Sequence, residues 1–124
     1  MDHHSCQRQQ ADITQINRCK VRVAERSDTF TYLSKALELA GNPTRLKILY
    51  LLYKEKQLCV CDLSDILDMG ISAVSQHLRK LKDREIINMT RQAQTLFYSV
   101  NREYNNLLKP FFRILDDQPS LALI

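Results

Sequence analysis

Two thiols stand two residues apart in the run Leu58-Cys59-Val60-Cys61-Asp62-Leu63. Thiolates are strong donors to soft ions such as Zn(II), Cd(II), Pb(II), Hg(II) and As(III). The pair falls where an amphipathic helix is expected to begin, with Val60, Leu63, Ile66 and Leu67 on one face. Unpaired backbone N–H groups and the positive end of the dipole at a helix start favour the thiolate that binds metal. Sulfurs at this spacing converge where the chain is extended or just entering the helix; in mid-helix they diverge by about 200°. Two thiolates rarely complete a site for these ions. Cys6 and Cys19 therefore become the natural further ligands. The plainer reading of the pair is two small buried residues, since free cysteine is often buried.

A second set of residues suits nucleic acid. A helix is expected from about Ser72 to Asp83, with Val74, Leu78 and Leu81 inward and Ser72, Ser75, Gln76, Arg79 and Lys80 outward. Hydroxyls and amides near the start of such a helix reach base edges, while Arg and Lys meet phosphates or guanine. Arg91, Gln92 and Gln94 stand at the expected tip of a following hairpin. His77 either faces DNA or sits partly buried and hydrogen-bonded between core positions. For an isolated helix the plainer reading is a solvated polar face. The ordered run of helix, glycine turn, polar helix and hairpin points instead to DNA.

These residues need a frame, and the patterning supplies one. Phe30, Leu33, Leu37 and Ala40 repeat at helical spacing. Gly41 fits just past that helix, Asn42 caps the next, and Pro43 suits its first position, where a missing donor costs nothing. The next helix runs to about Lys54, with Leu46, Ile48, Leu49 and Leu52 mostly inward. Asp68-Met69-Gly70 is a short turn joining two helices, as in a helix-turn-helix. Ile86–Thr90 and Thr95–Val100 read as strands around the polar Arg91-Gln92-Ala93-Gln94, a hairpin placed as a wing. Tyr104, Leu107, Leu108, Phe111, Phe112 and Leu115 make a wide apolar stripe on a last helix, the natural dimer surface. Pro110 inside it predicts a kink or a break. The expected fold is mainly α with a small β-hairpin, a winged helix-turn-helix over 29–118. An arm over 1–28, flexible and helical in part, precedes it, and a tail over 119–124 follows.

Composition is consistent with that frame. The chain has 124 residues, enough for one compact domain, with 44% hydrophobic and 26% charged residues. Only 2 Gly and 3 Pro argue against a many-turned all-β fold. A net charge of +4 suits an anionic partner. No apolar run approaches the ~18 residues of a membrane span, and Met1–Gln10 lacks a signal peptide's apolar stretch. The expectation is a cytoplasmic protein with no membrane partner, whose 4 cysteines are free thiols or metal ligands. No acid/base or nucleophile constellation supports an enzyme.

Leu58–Leu63, Ser72-Ala73-Val74-Ser75-Gln76-His77-Leu78-Arg79-Lys80-Leu81 and Leu96–Val100 together resemble the ArsR/SmtB family of metal-sensing repressors. Asn42–Ile48 is similar to that family's helix before the site, and the resemblance covers about Thr29 to Leu115. It implies a homodimer built from the first and last helices of the domain. The apo form would bind double-stranded operator DNA, and a metal inducer would release it and derepress metal-resistance genes. In the cadmium/lead-sensing branch, cysteines on an N-terminal arm complete the CxC pair, usually from the other subunit. Cys59 and Cys61 match that pair, whereas Cys6 and Cys19 are more widely spaced than the branch's usual arm pair. The arsenic-sensing branch often carries a third Cys where this chain has Ser64, and Hg(II) responders need only two or three thiolates. The family's zinc site of Asp and His on the last helix is expected to be absent, since no His follows His77. A cysteine-based redox-sensing repressor of the same fold is the alternative.

Overall fold

Local capping sets the helix boundaries. Asn42 is extended and its side-chain oxygen accepts from Arg45 N at 3.0 Å, with Pro43 at the first helical position. Asp12 caps in the same way, accepting from Gln15 N at 3.0 Å. The computed structural model describes residues 6–117 and has the order α1 (Ile13–Glu25), α2 (Ser27–Ala40), α3 (Pro43–Glu55), β1 (Leu58–Cys59), α4 (Val60–Leu67), α5 (Ile71–Asp83), β2 (Ile87–Gln92), β3 (Thr95–Val100), α6 (Arg102–Asp117). The tail expected over 119–124 lies outside the described residues. The chain divides into two compact units between Ser34 and Lys35, within α2.

In the first unit, much of the arm is regular helix. None of the residues of α1 is buried, and Ile13, Val21 and Val23 are exposed. In the second unit, α3, α4, α5 and α6 enclose a core built on Ile48, Leu49, Leu52, Leu63, Val74, Leu78, Leu81, Leu108 and Phe112. This is a winged helix-turn-helix, as the patterning predicts. The turn of the motif has Asp68 in the left-handed region (φ 55°), and Met69 N donates to the Ser64 carbonyl at 3.1 Å.

The sheet has three antiparallel strands in the order β1-β3-β2, one more than the expected hairpin. β1 pairs Leu58 with Tyr98 and Cys59 with Phe97. β2 runs to Gln92, opposite Thr95, so only Ala93 and Gln94 form the turn. Arg91 and Gln92 thus stand on the strand rather than at the tip. The missing glycine explains the misreading: Ala93 takes the positive φ (56°) that a two-residue hairpin turn requires.

Four apolar expectations change. On α2 the buried residues are Ala36 and Ala40, while Phe30 (53%) and Leu37 (42%) stay exposed. Ile66 on α4 is also exposed. The α6 stripe is divided, with Tyr104, Leu108 and Phe112 in the core of the second unit and Phe111 exposed, as is Ile114 beside it. Helix α6 continues through Pro110, which is exposed, so only a carbonyl one turn back loses its donor.

The C-terminal end of α6 is fastened to α3. Asp116 accepts from the Tyr50 hydroxyl at 2.5 Å and from Lys54 Nζ at 3.1 Å. The Tyr50 hydrogen bond, then the Lys54 one, hold the Asp116 carboxyl below its ordinary range. Beneath them the Phe112 ring meets Tyr53 at 4.8 Å and Tyr50 edge-on at 5.8 Å. Phe112→Ala should lower unfolding free energy by about 3–5 kcal/mol, through lost burial and the cavity left between these rings. Urea denaturation checks this; a loss under about 1 kcal/mol would mean that α6 is not part of the core.

Candidate metal centre and nucleic-acid interface

Cys59 occupies a junction. It is the last residue of β1 and also the N-cap of α4, with φ −91° and ψ 169°. Its side chain makes no capping hydrogen bond. Cys61 is the second residue of α4. The pair therefore straddles an extended residue and the first helical turn, the placement in which two sulfurs at this spacing can converge. Cys59 is half-buried and Cys61 exposed, and both are free thiols. Ser64, one turn on, is half-buried and its hydroxyl donates to the Met69 carbonyl, bracing the turn before α5.

Cys19 lies on α1 and Cys6 before it, both exposed and free. Among the described residues no three His, Cys, Asp or Glu side chains come together as a metal-holding group. The second unit by itself offers two uncommitted sulfurs on one turn. That donor set fits a thiophilic ion as half of a site, with other donors needed to complete it.

Helix α5 buries Val74, Leu78 and Leu81. Ser72, Gln76, Arg79 and Lys80 are exposed and Ser75 half-buried. Gly70 caps α5 in an extended conformation, with open space where a Cβ would stand. In the wing, every residue of β2 after Ile87 is exposed, including Arg91 and Gln92. Gln92 Nε2 donates to Gln57 Oε1 at 3.4 Å, so the wing touches the residue preceding β1. The sheet thus links the cysteine pair to the wing twice, through β1–β3 pairing and through this side-chain bridge. The strand role of Cys59 escaped the sequence reading, because two residues carry no period-2 pattern.

His77 is half-buried on α5 and its Nδ1 has no hydrogen-bond partner. The expectation of a hydrogen-bonded core histidine is thus met only in burial. Desolvation, then the charges of Arg45 and Lys80, push its pKa below the ordinary 6.5. Arg45 is itself held by its Nε donating to the Leu39 carbonyl at 2.8 Å.

A family model described as bacterial regulatory protein, arsR family, matches residues 42–89, from the Asn42 cap into β2. A cadmium resistance transcriptional regulatory protein CadC homolog of Staphylococcus aureus is 32% identical over 89 residues, 72% of this chain and 72% of that one. An arsenical resistance operon repressor of Staphylococcus xylosus is 30% identical over 76 residues, 61% of this chain and 72% of that one. Among solved structures, reduced HlyU from Vibrio cholerae matches with a TM-score of 0.67 at 31% identity, covering 73% of this chain and 95% of that one.

The His77 environment gives a pH prediction. The folded state resists protonating this imidazole, while the unfolded chain takes up the proton near 6.5. Stability should therefore fall as pH drops through 6.5 and stop falling once pH is below the depressed folded value. His77→Gln should flatten that segment of the stability-against-pH curve. Urea midpoints on either side of 6.5 test it; an unchanged slope in the variant would assign the dependence to other groups.

Proposed function

Because the chain belongs to the ArsR family of bacterial regulatory proteins, whose members are DNA-binding transcriptional regulators rather than enzymes, we propose that it is a homodimeric, metal-responsive repressor. The apo form binds operator DNA, and a thiophilic ion held by Cys59 and Cys61 releases it. The observation that carries this reading is the position of Cys59, which is at once strand partner of Phe97 in the wing and cap of the first helix of the motif.

Each step follows from residues in place. Cys59 and Cys61 supply sulfurs with no competing hydrogen bond from a capping role. A bound soft ion would supply a strong sulfur anchor and positive charge at the start of α4. Drawing the two sulfurs together changes the backbone at residues 59–61, where β1 ends and α4 begins. β1 passes that change to β3 through the Leu58–Tyr98 and Cys59–Phe97 pairs, and Gln57 passes it to Gln92. Wing and α5 then no longer present Arg91, Gln92, Ser72 and Gln76 in the spacing that a DNA duplex accepts.

Cys19, with Cys6 beyond it, supplies the remaining sulfurs. Cys19 is the stronger candidate, since a shorter chain segment must be ordered to bring it in. Cadmium is the first ion to test, because a cadmium resistance regulator is among the similar proteins; lead, zinc, mercury and arsenite share the required softness. Ser64 counts against a three-cysteine arsenite site on α4, since its hydroxyl braces the turn. Dimerisation is supported by an apolar groove of about 180 Å³ lined by Leu37, Ala40, Leu46, Leu108 and Phe111. No helix among the described residues is long and apolar enough to cross a membrane.

Reduced protein bound to a duplex enriched from a randomised pool should dissociate on adding Cd(II), with thiolate-to-metal absorption rising in step. Cys59→Ser and Cys61→Ser should bind the duplex as wild type does and stay bound in Cd(II). Cys19→Ser should weaken metal affinity by about tenfold or more. Release of either CxC variant at wild-type Cd(II) would remove the pair as the sensing site. Release by peroxide but not by metal under reducing conditions would replace this reading with the redox one.

A further inference from the structure

One flank of α5 is lined in a way that the outward face does not explain. A cavity of about 210 Å³ lies between this helix and the β2–β3 hairpin, bordered by Ser75, Arg79, Lys82 and Asp83 on one side and Met89 and Tyr98 on the other. Ser75 and Arg79 are four residues apart, and Arg79 and Lys82 three, so the donors follow a single edge of the helix. Ser72 and Gln76 lie opposite the buried Val74, Leu78 and Leu81, and Arg79, one turn beyond Gln76, borders both their arc and the wing-side edge. The polar surface of α5 is thus one arc, running from Ser72 and Gln76, which face away from the core, to a wing-side stripe of Ser75, Arg79 and Lys82 that lines the cavity.

The wing-side stripe has the chemistry of an anion seat. It carries a hydroxyl, a guanidinium and an ammonium. Among the described residues the single salt bridge joins Lys54 to Asp116, so neither Arg79 nor Lys82 is neutralised by an ion pair. Asp83 is the one carboxylate at the rim, leaving two cations against one anion. Met89 and Tyr98 give the long basic side chains an apolar wall to lie along, with their heads left to a charged partner.

We propose that the groove between α5 and the wing seats one phosphate of the DNA backbone, held by Ser75, Arg79 and Lys82. The proposal rests on the DNA-binding reading above and deepens it. Base reading falls to Ser72 and Gln76, and Arg79 serves as a phosphate contact rather than a guanine reader. Lys82 joins the interface as a positioning residue: its contact sets how deeply α5 enters the major groove and carries no sequence information. Asp83 limits the grip by repelling the same phosphate.

Salt titrations of duplex binding, with the full reduced chain, test this. Lys82→Gln should lower the slope of log affinity against log salt by about 0.9 for each protomer bound. The loss should be equal on the enriched duplex and on a mixed-sequence duplex, and Lys82→Arg should restore it. Asp83→Asn should tighten binding to both duplexes, and Lys109→Gln, on the exposed side of α6, should change neither. Scanning single uncharged methylphosphonate linkages along the enriched duplex should find one position per half-site that weakens the wild type more than Lys82→Gln. An unchanged salt slope in Lys82→Gln, or a loss confined to the enriched sequence, would overturn the groove while leaving DNA binding intact. A wild-type chain that binds no duplex would overturn both.

Discussion

The backbone pairing of Leu58 and Cys59 with Tyr98 and Phe97 is the constraint on which the second unit's arrangement depends. A two-residue strand is shorter than most and would not persist alone. It persists here because helices on both sides and a longer strand, β3, hold its ends. The pairing keeps Cys59 extended, and an extended residue is what the cap of α4 requires. α4 in turn sets the turn at Asp68–Gly70 and so the direction of α5. A single residue thereby fixes a strand end, a helix start and the place of a free thiol, and none of these can move without the others.

The apolar surface is divided with similar economy. α6 gives Tyr104, Leu108 and Phe112 to the core of the second unit and leaves Phe111 and Ile114 outside. The apolar stripe of α6 is thus wider than its own core needs. Leu37 on α2 is exposed in the same way. The Asp116 contacts with Tyr50 and Lys54 hold the end of α6 against α3, so the residues left outside sit on a helix whose orientation is fixed.

Most of this was legible where a local rule decides the outcome. Asn42-Pro43, the Asp68–Gly70 turn and the inward Val74, Leu78 and Leu81 follow from capping and periodicity alone. The misreadings came where a neighbour decides the outcome or where the local signal is missing. Phe30, Leu37 and Ile66 fit a helical stripe, yet each is exposed. β1 is too short for its alternation to register. Arg91 and Gln92 look like loop residues because the hairpin's tight turn lacks the glycine or asparagine that usually marks it. For the cysteines, spacing singled out a candidate donor pair. Its link to the wing became visible only once Phe97 was found opposite Cys59.

That turn has a consequence for how the wing tolerates change. Ala93 is exposed, and exposed positions ordinarily accept almost any residue. Its positive φ removes that freedom, because a branched or bulky side chain there collides with its own backbone. Glycine, asparagine and aspartate fit best, unbranched side chains enter at some strain, and β-branched ones fit worst. The wing's outermost residue is therefore among its least replaceable, and variation in its reach and charge is channelled to the strand positions beside it.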